Sequence, residues 1–167
     1  MSAFQLNDTA KKQILLLSNA VLSGDLTTFQ RVESSQKQMF DINWANEHGN
    51  TYLLLASDRG RANVVTYLLG KDALVDKPDN NGCTPLHCAA GNNYIEVISL
   101  LLEGCATVDK PANKGYTPLW IAVCNNHVDA ARLLLEGGET VDKPDKDGCS
   151  PLYCAAANNH IEVISLL

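Results

Sequence analysis

The chain has 167 residues, the length of one domain or two small ones. Hydrophobic residues make up 46% and charged residues 19%, as in ordinary globular proteins, so the composition does not indicate disorder. The net charge of −6 argues against nucleic-acid binding through phosphates, which needs a basic surface. The longest aliphatic runs, at 14–17 and 100–102, are far shorter than the roughly 20 residues that span a bilayer, so we expect no membrane insertion.

The N-terminus has no basic segment followed by a long apolar core, so no secretory signal is predicted. We therefore expect a soluble, intracellular protein of the cytoplasm. The chain has six cysteines, which would suit a disulfide framework in a secreted protein. In a reducing compartment they are expected to be free.

A 33-residue repeat runs through the chain. A turn glycine, a threonine or serine, a leucine and an alanine recur in one register. They are Gly49, Gly82, Gly115 and Gly148; Thr51, Thr84, Thr117 and Ser150; Leu53, Leu86, Leu119 and Leu152; Ala56, Ala89, Ala122 and Ala155. This agreement indicates a true internal repeat.

The predicted units follow one another along the chain. Residues 1–7 are expected to form a mobile tail. Residues 8–43 match the repeat weakly and are interpreted as a degenerate N-terminal capping repeat, with Asp8 or Thr9 as the N-cap of its first helix. Full repeats are predicted at 44–78, 79–111 and 112–144, and a partial repeat at 145–167.

Each unit reads as a turn, a helix, a short loop, a second helix and a longer loop. In the unit at 79–111, Thr84 is expected to cap a helix from Pro85 to Gly91. Residues from Ile95 to Glu103 predict the second helix, which Gly104 ends. One helix pair of this size cannot bury its own apolar surface, whereas stacked copies can, so the pattern predicts an all-α solenoid.

The short loop between the two helices contains an asparagine in three of the units. Asparagine tolerates the left-handed backbone conformation better than most residues other than glycine. Asn93, Asn126 and Asn159 occupy the place where an earlier unit has Gly60. We therefore expect a left-handed residue at this place in each unit.

Residues 84–90, Thr-Pro-Leu-His-Cys-Ala-Ala, resemble the ankyrin repeat, whose signature is T-P-L-H-x-A. The period and the ending of the unit's second helix at 100–106 agree, and the resemblance covers residues 44–167. It implies an all-α ankyrin-repeat solenoid of helix-turn-helix units with β-turn hairpin loops. The fourth signature position holds Leu54, His87, Trp120 and Tyr153 in turn. The hydrogen bond made by the family's histidine is therefore expected once.

The resemblance also suggests a role for the repeated tripeptide Asp-Lys-Pro, which begins at Asp76, Asp109 and Asp142. In the family an Asn or Asp at this place ties neighbouring loops together through backbone hydrogen bonds. We therefore interpret these aspartates as structural residues, although paired carboxylates would also suit acid–base chemistry.

Candidate chemistry is sparse. Cys83, His87 and Cys88 form a compact cluster, but their spacing is not that of a zinc site, so no metal and no cofactor are predicted. No cysteine has an activating partner in the register, so we predict that the chain is not an enzyme. Cys83 and Cys149 lie two repeats apart, too far for a disulfide. Cys88 and Cys154 are expected in the core as free cysteines.

The resemblance implies that a partner binds the turn tips and the exposed side of the first helices, on one concave face. The candidate residues are Glu47, His48, Asn50, Asp58, Arg59, Asn80, Asn81, Cys83, Asn92, Asn113, Lys114, Tyr116, Trp120, Asn125, Lys146, Asp147 and Cys149. Tyr116 is the expected anchor, because tyrosine carries a large share of interface energy. Trp120 either lines the same groove or packs beside His87 and Tyr153. The exposure of Trp44 is left open.

The predicted function is a non-catalytic protein–protein interaction scaffold that binds a partner protein or peptide. The alternative is a targeting or autoinhibitory domain of a larger enzyme or effector continuing beyond Leu167, because the chain ends inside the last helix. The chain is expected to be a monomer or to associate weakly end to end, and the third hypothesis is structural self-association through exposed Leu166 and Leu167. A bacterial effector acting in host cytoplasm and a eukaryotic protein both fit the sequence.

Overall fold

The structure is a computed structural model that describes residues 8–35 and 40–167. These residues form ten helices arranged in five consecutive pairs. The helices are α1 (Asp8–Ser23), α2 (Leu26–Ser35), α3 (Tyr52–Asp58), α4 (Ala62–Leu69), α5 (Pro85–Gly91), α6 (Ile95–Glu103), α7 (Pro118–Cys124), α8 (Val128–Glu136), α9 (Pro151–Ala157) and α10 (Ile161–Leu166). The predicted mobile tail at 1–7 lies outside the described residues.

The pairs stack as a solenoid. First helices contact first helices from α1 through α9, and second helices contact second helices from α4 through α10. A single core therefore runs the length of the stack, and it is built from the repeated leucines and alanines together with the valines of the second helices. Because each pair buries its apolar faces mainly against its neighbours, stability depends on contacts between adjacent units.

The helix bounds predicted for the unit at 79–111 are confirmed by α5 and α6. Thr84 is the N-cap of α5, and its backbone N–H donates to Nδ1 of His87 at 3.1 Å. The N-cap prediction for α1 is wrong, because Asp8 and Thr9 already lie inside that helix. The helical backbone bonding includes both residues, and Asp8 instead places a carboxylate in the first turn, where the helix dipole favours it.

The left-handed residues fall where the sequence predicts them in the short loops. Asn93, Asn126 and Asn159 have φ of 57°, 59° and 58°, and Gly60 has φ of 64°. After α6, however, Gly104 has an ordinary φ of −76°, and Cys105 is the left-handed residue. Gly104 is suited to its place for another reason, because a Cβ there would lie 3.3 Å from the side chain of Leu69.

Two of the three predicted aspartates of the long loops, Asp76 and Asp109, tie adjacent units together, as the resemblance implied. The Asp76 carboxylate accepts from the backbone N–H of Thr107 at 3.0 Å, and Asp109 accepts from that of Thr140 at 2.9 Å. In the first junction Asn43 accepts from the N–H of Leu74 at 2.8 Å. The lysine of each Asp-Lys-Pro tripeptide donates to a backbone carbonyl of the preceding unit. Lys77, Lys110 and Lys143 donate to the carbonyls of residues 43, 76 and 109.

Two residues at the C-terminal end are placed differently from expectation. Leu166 and Leu167, expected to be exposed, are half-buried and pack against the core. α10 contacts both α9 and α8, which brings its end against the core. The exposed apolar side chains of the last pair are those of Leu152, Tyr153 and Ile161.

Gly82→Ala tests how closely the turns are stacked. A Cβ at Gly82, where φ is +80°, would lie 2.7 Å from the backbone nitrogen of Asn113. We expect this variant to lose about 2–3 kcal/mol of unfolding free energy, from backbone strain and the clash together. Urea denaturation measures the loss. The matched control is Gly138→Ala, where φ is +91° but nothing lies within 4 Å, so about 1 kcal/mol of strain alone is expected. Equal losses would contradict close stacking.

Candidate partner-binding surface

The predicted binding residues lie on the four turn tips and on the first helices behind them. Most are exposed. The exposed ones are Glu47, His48, Arg59, Asn80, Asn81, Asn92, Asn113, Lys114, Asn125, Lys146 and Asp147, and the half-buried ones are Asn50, Asp58, Cys83, Tyr116, Trp120 and Cys149. The structure thus brings the whole set to the turns and first helices of four successive units.

The turn tips are joined to one another by backbone hydrogen bonds. The N–H of Asn80 donates to the carbonyl of His48 at 3.0 Å, and the same bond joins Asn113 to Asn81 and Lys146 to Lys114. Within the tips, the Asp79 carboxylate accepts from the N–H groups of residues 81 and 83, both at 2.8 Å. The row of tips is therefore ordered by its own bonds before any partner arrives.

Several candidate asparagines are occupied by this stacking. The side-chain amide of Asn80 donates to the Glu47 carbonyl, and that of Asn113 donates to the Asn80 carbonyl, each at 2.9 Å. On the first helices, the Asn125 amide donates to Gly91 of the previous unit at 3.3 Å. These side chains serve the framework, so fewer of the predicted residues have polar groups free for a partner.

The charged groups on the tips differ in what surrounds them. Nε2 of His48 lies 3.7 Å from Oε1 of Glu47, and Nε of Arg59 lies 3.4 Å from Oδ2 of Asp58. Both pairs are on the surface, where such charge pairs contribute little to stability. The ammonium groups of Lys114 and Lys146 have no ion-pair or hydrogen-bond partner in the described part of the chain. The third and fourth tips therefore offer two cations to an approaching anionic group.

An aromatic pair lies behind the third tip. The rings of Tyr116 and Trp120 stack with centroids 4.1 Å apart and an interplanar angle of 21°. Both side chains are half-buried, so part of the pair remains accessible. Offset stacking of this kind favours a fixed geometry for both rings.

Trp120 also makes the inter-unit bond that was expected of histidine alone. In the second full unit, Nε2 of His87 lies 3.0 Å from the carbonyl of Tyr116, 29 residues on. In the third, Nε1–H of Trp120 donates to the carbonyl of Cys149 at 3.0 Å, again 29 residues on. At the signature position the histidine bond is thus made by His87, as expected, and the sequence did not predict that an indole N–H would make the equivalent bond in the next unit. Trp120 therefore both packs between units and borders the surface.

The hydrogen bonds assign the proton on His87. Its Nδ1 accepts from the backbone N–H of Thr84, so the ring proton lies on Nε2 and is donated to Tyr116. Burial lowers the pKa of His87, although the bond to Tyr116 acts in the opposite direction. The residue is consequently a neutral donor that links two units.

One further tryptophan and two further histidines contact neighbouring segments. Trp44, left open by the sequence, packs partly buried against Tyr52, with ring centroids 5.3 Å apart. His127 lies 3.0 Å from the carbonyl of Gly91, and His160 lies 3.0 Å from that of Val123. These histidines join neighbouring units rather than forming a metal site.

Glu139 was missed by the sequence reasoning. It is 4% exposed, and its Oε1 accepts from the backbone N–H of Leu119 at 2.9 Å, at the start of α7. Its Oε2 has no hydrogen-bond partner among residues 8–35 and 40–167. Burial raises the pKa of Glu139 to about 7, against the hydroxyl of Thr117 and the N–H of Leu119, which lower it. The repeat could have identified it, because the equivalent positions of the two preceding units hold alanine, Ala73 and Ala106, and a glutamate departs from that pattern.

The cysteines depart from expectation in one pair. Cys124 and Cys154 form a disulfide between α7 and α9, with Cα atoms 5.6 Å apart. Both were expected to be free because a reducing compartment was inferred, and their separation of 30 residues, three short of the repeat period, does not reveal that stacking brings them together. Cys83 and Cys149 are free, as predicted. Burial raises the pKa of the free Cys88 thiol to about 12.

Across the described ranges, 8–35 and 40–167, no helix is long and apolar enough to cross a bilayer. The same residues contain no group of three or more His, Cys, Asp or Glu side chains that could hold a metal ion.

Comparison with known families agrees with this architecture. The profile described as ankyrin repeats (3 copies) matches residues 17–112 and 103–167. The chain belongs to the ankyrin-repeat family. The predicted all-α repeat solenoid is thereby confirmed, and the family match supports a protein-interaction role.

A curated relative shares part of this ankyrin-repeat region. The RelA-associated inhibitor of Mus musculus is 39% identical over 77 residues. That alignment covers 46% of the present chain and 9% of the relative. The chain thus corresponds to a small part of that protein's length.

Substitution of Trp120 tests its bond to Cys149. In Trp120→Phe the Cys149 carbonyl loses its hydrogen-bond donor, and the smaller ring has less contact with Tyr116. We therefore expect a loss of about 1–2 kcal/mol in unfolding free energy. Trp120→His restores an N–H donor, as in the preceding unit, and should lose less than the phenylalanine variant despite its smaller apolar area. Urea denaturation of both gives the order. A histidine variant less stable than the phenylalanine variant would contradict the assigned bond.

Glu139→Gln tests the buried carboxyl. Because the folded-state pKa lies above the unfolded value, the wild type loses stability as pH rises from about 4.5 through about 7. The loss from this group between pH 5 and pH 8 is about 2–3 kcal/mol. Glutamine, isosteric with the neutral acid, should remove that part of the pH dependence in urea denaturation. Glu136→Gln, which removes an exposed carboxylate nearby, is the control. Parallel pH curves for wild type and Glu139→Gln would refute the assignment.

Proposed function

We propose that this ankyrin-repeat chain is a non-catalytic scaffold that binds a partner protein or peptide on the concave face formed by its turn tips and first helices. The observation that carries the proposal is the ordered row of tips. Backbone bonds from Asn80, Asn113 and Lys146 to the preceding tips fix the row, so little conformational entropy is lost when a partner binds.

The contacts available on the third and fourth tips favour one region of that face. Tyr116 presents an aromatic ring held by stacking on Trp120, and Lys114 and Lys146 supply unpaired cations beside it. Rigid aromatic anchors with adjacent charge are typical of interface hot spots. The partner segment we expect is therefore one with an apolar side chain followed by carboxylates.

The family match and the inhibitor named among its relatives support binding over catalysis. The relative's length supports a second candidate, in which these repeats are a targeting or autoinhibitory part of a larger protein. Both candidates use the same face, and they differ in whether the partner is another chain. We also propose an intracellular location, which the four free cysteines favour.

The proposal is tested by capture from cell lysate with the immobilised chain and a variant, Lys114→Ala with Tyr116→Ala. We expect the wild type to retain a protein that the variant loses. With that protein purified, the variant's dissociation constant should rise by at least tenfold, because a central aromatic anchor and a cation are both removed.

The matched control is Asp129→Ala with Arg132→Ala, two exposed positions on α8 of the same unit. It changes the same number of side chains on the second-helix side and should bind as the wild type does. Thermal melting followed by circular dichroism establishes that each variant is folded. Undiminished binding by the folded tip variant, or equal loss in both variants, would reject binding at the tips.

A further inference from the structure

The stacking of first helices brings two positions together at each junction. One is the last residue of a first helix, and the other is the fourth residue of the next. The pairs are Asp58 with Cys88, Gly91 with Ile121, and Cys124 with Cys154. At the middle junction a Cβ on Gly91 would lie 3.1 Å from the Ile121 side chain, which shows how close these positions are without any covalent link. Among these three junctions, only the one between α7 and α9 has a cysteine at both positions.

The Cys124–Cys154 pair has the geometry and surroundings of a reactive dithiol. Its Cα atoms are 5.6 Å apart, within the range that a disulfide spans without backbone movement. Both cysteines are half-buried, so a small oxidant can reach them. The amide Nδ2 of Asn158 lies 3.6 Å from Sγ of Cys154, where its N–H can stabilise a thiolate once the bond is reduced.

The cysteines of the unit at 79–111 are less suited to this chemistry. Burial raises the pKa of Cys88 to about 12 and also raises that of Cys83, which keeps both thiols protonated. Cys105 is exposed but lies on the loop after α6. Selective oxidation is therefore expected at the pair between α7 and α9.

We propose that Cys124 and Cys154 are a reversible redox modification site whose oxidant is a low-molecular-weight disulfide such as glutathione disulfide. The Cys154 thiolate attacks one sulfur of the oxidant, forming a mixed disulfide and releasing one thiol. The Cys124 thiolate then attacks Sγ of Cys154, which forms the protein disulfide and releases the second thiol. Two electrons pass from the cysteines to the oxidant, and the two cysteine protons end on the released thiols.

The bond acts as a clamp on the last helix pair. α9 and α10 bury only Pro151, Ala155 and Val163, whereas α5 alone buries five residues. Local opening of this pair is therefore resisted by few contacts. Closing the chain between residues 124 and 154 restricts the opened state, so oxidation should slow opening of α9 and α10 by between tenfold and a hundredfold. This site requires no partner and goes beyond the proposed binding function.

The test uses the full chain with Cys149→Ser, because Cys149 and Cys154 lie in the same tryptic peptide. The protein is reduced, freed of reductant, incubated with glutathione disulfide, alkylated with N-ethylmaleimide and digested. We expect peptide 115–132 joined to peptide 147–167, and dithiothreitol should separate them. Hydrogen exchange followed by mass spectrometry should show at least tenfold slower exchange at 161–166 in the oxidised protein, with α5 unchanged.

Two variants of that background complete the experiment. Cys154→Ala should abolish both the joined peptides and the difference in exchange. Cys88→Ala, at the equivalent place in an earlier unit, should retain both. The proposal is overturned if N-ethylmaleimide still alkylates Cys124 and Cys154 after the incubation with glutathione disulfide, or if only mixed disulfides with glutathione form. It is also overturned if the joined peptides appear while exchange at 161–166 stays the same.

Discussion

The structure depends on the burial of apolar helix faces between neighbouring units. The first helices of the repeats, α3, α5, α7 and α9, have seven residues each, too few for an isolated helix to be stable in water. Leu86, Leu119 and the alanines around them become fully buried only because another pair covers them. The bonds between turn tips and those of the Asp76 and Asp109 carboxylates in the long loops occur at these junctions, and the stacking sets their geometry.

The sequence was sufficient for the framework, because stacking repeats the same requirement every 33 residues. The bounds of α5 and α6, the left-handed asparagines and the loop-tying aspartates follow from chemistry that each unit repeats. What the sequence could not supply were contacts made by side chains that differ between units. Trp120, Glu139 and the pair Cys124 and Cys154 all belong to this second class, and each contacts another segment at an offset that the period does not reveal.

The candidate surface shows the same division. Its location follows from the family framework, but its chemistry depends on which polar groups the framework already uses. Asn80 and Asn113 are exposed, yet their amides bond to the neighbouring tips. Within the described residues the ammonium group of Lys114 has no such bond, and the ring of Tyr116 is held by stacking on Trp120. Exposure alone therefore overstates the number of groups that can bind, and the hydrogen-bond partners are needed to choose among them.

The offset of the inter-unit contacts has a consequence for rearrangement of the chain. Loss of residues 112–144, one whole unit, would keep the register of the repeat. Cys149 would then lie 29 residues after His87, the position that Tyr116 has now. The His87 imidazole could still donate to a backbone carbonyl at that position, because every residue has one. The same loss would set Cys154 against Gly91, and no covalent link between these helices could form. Backbone-directed contacts let units be gained or lost during evolution, whereas the disulfide ties two particular units to each other.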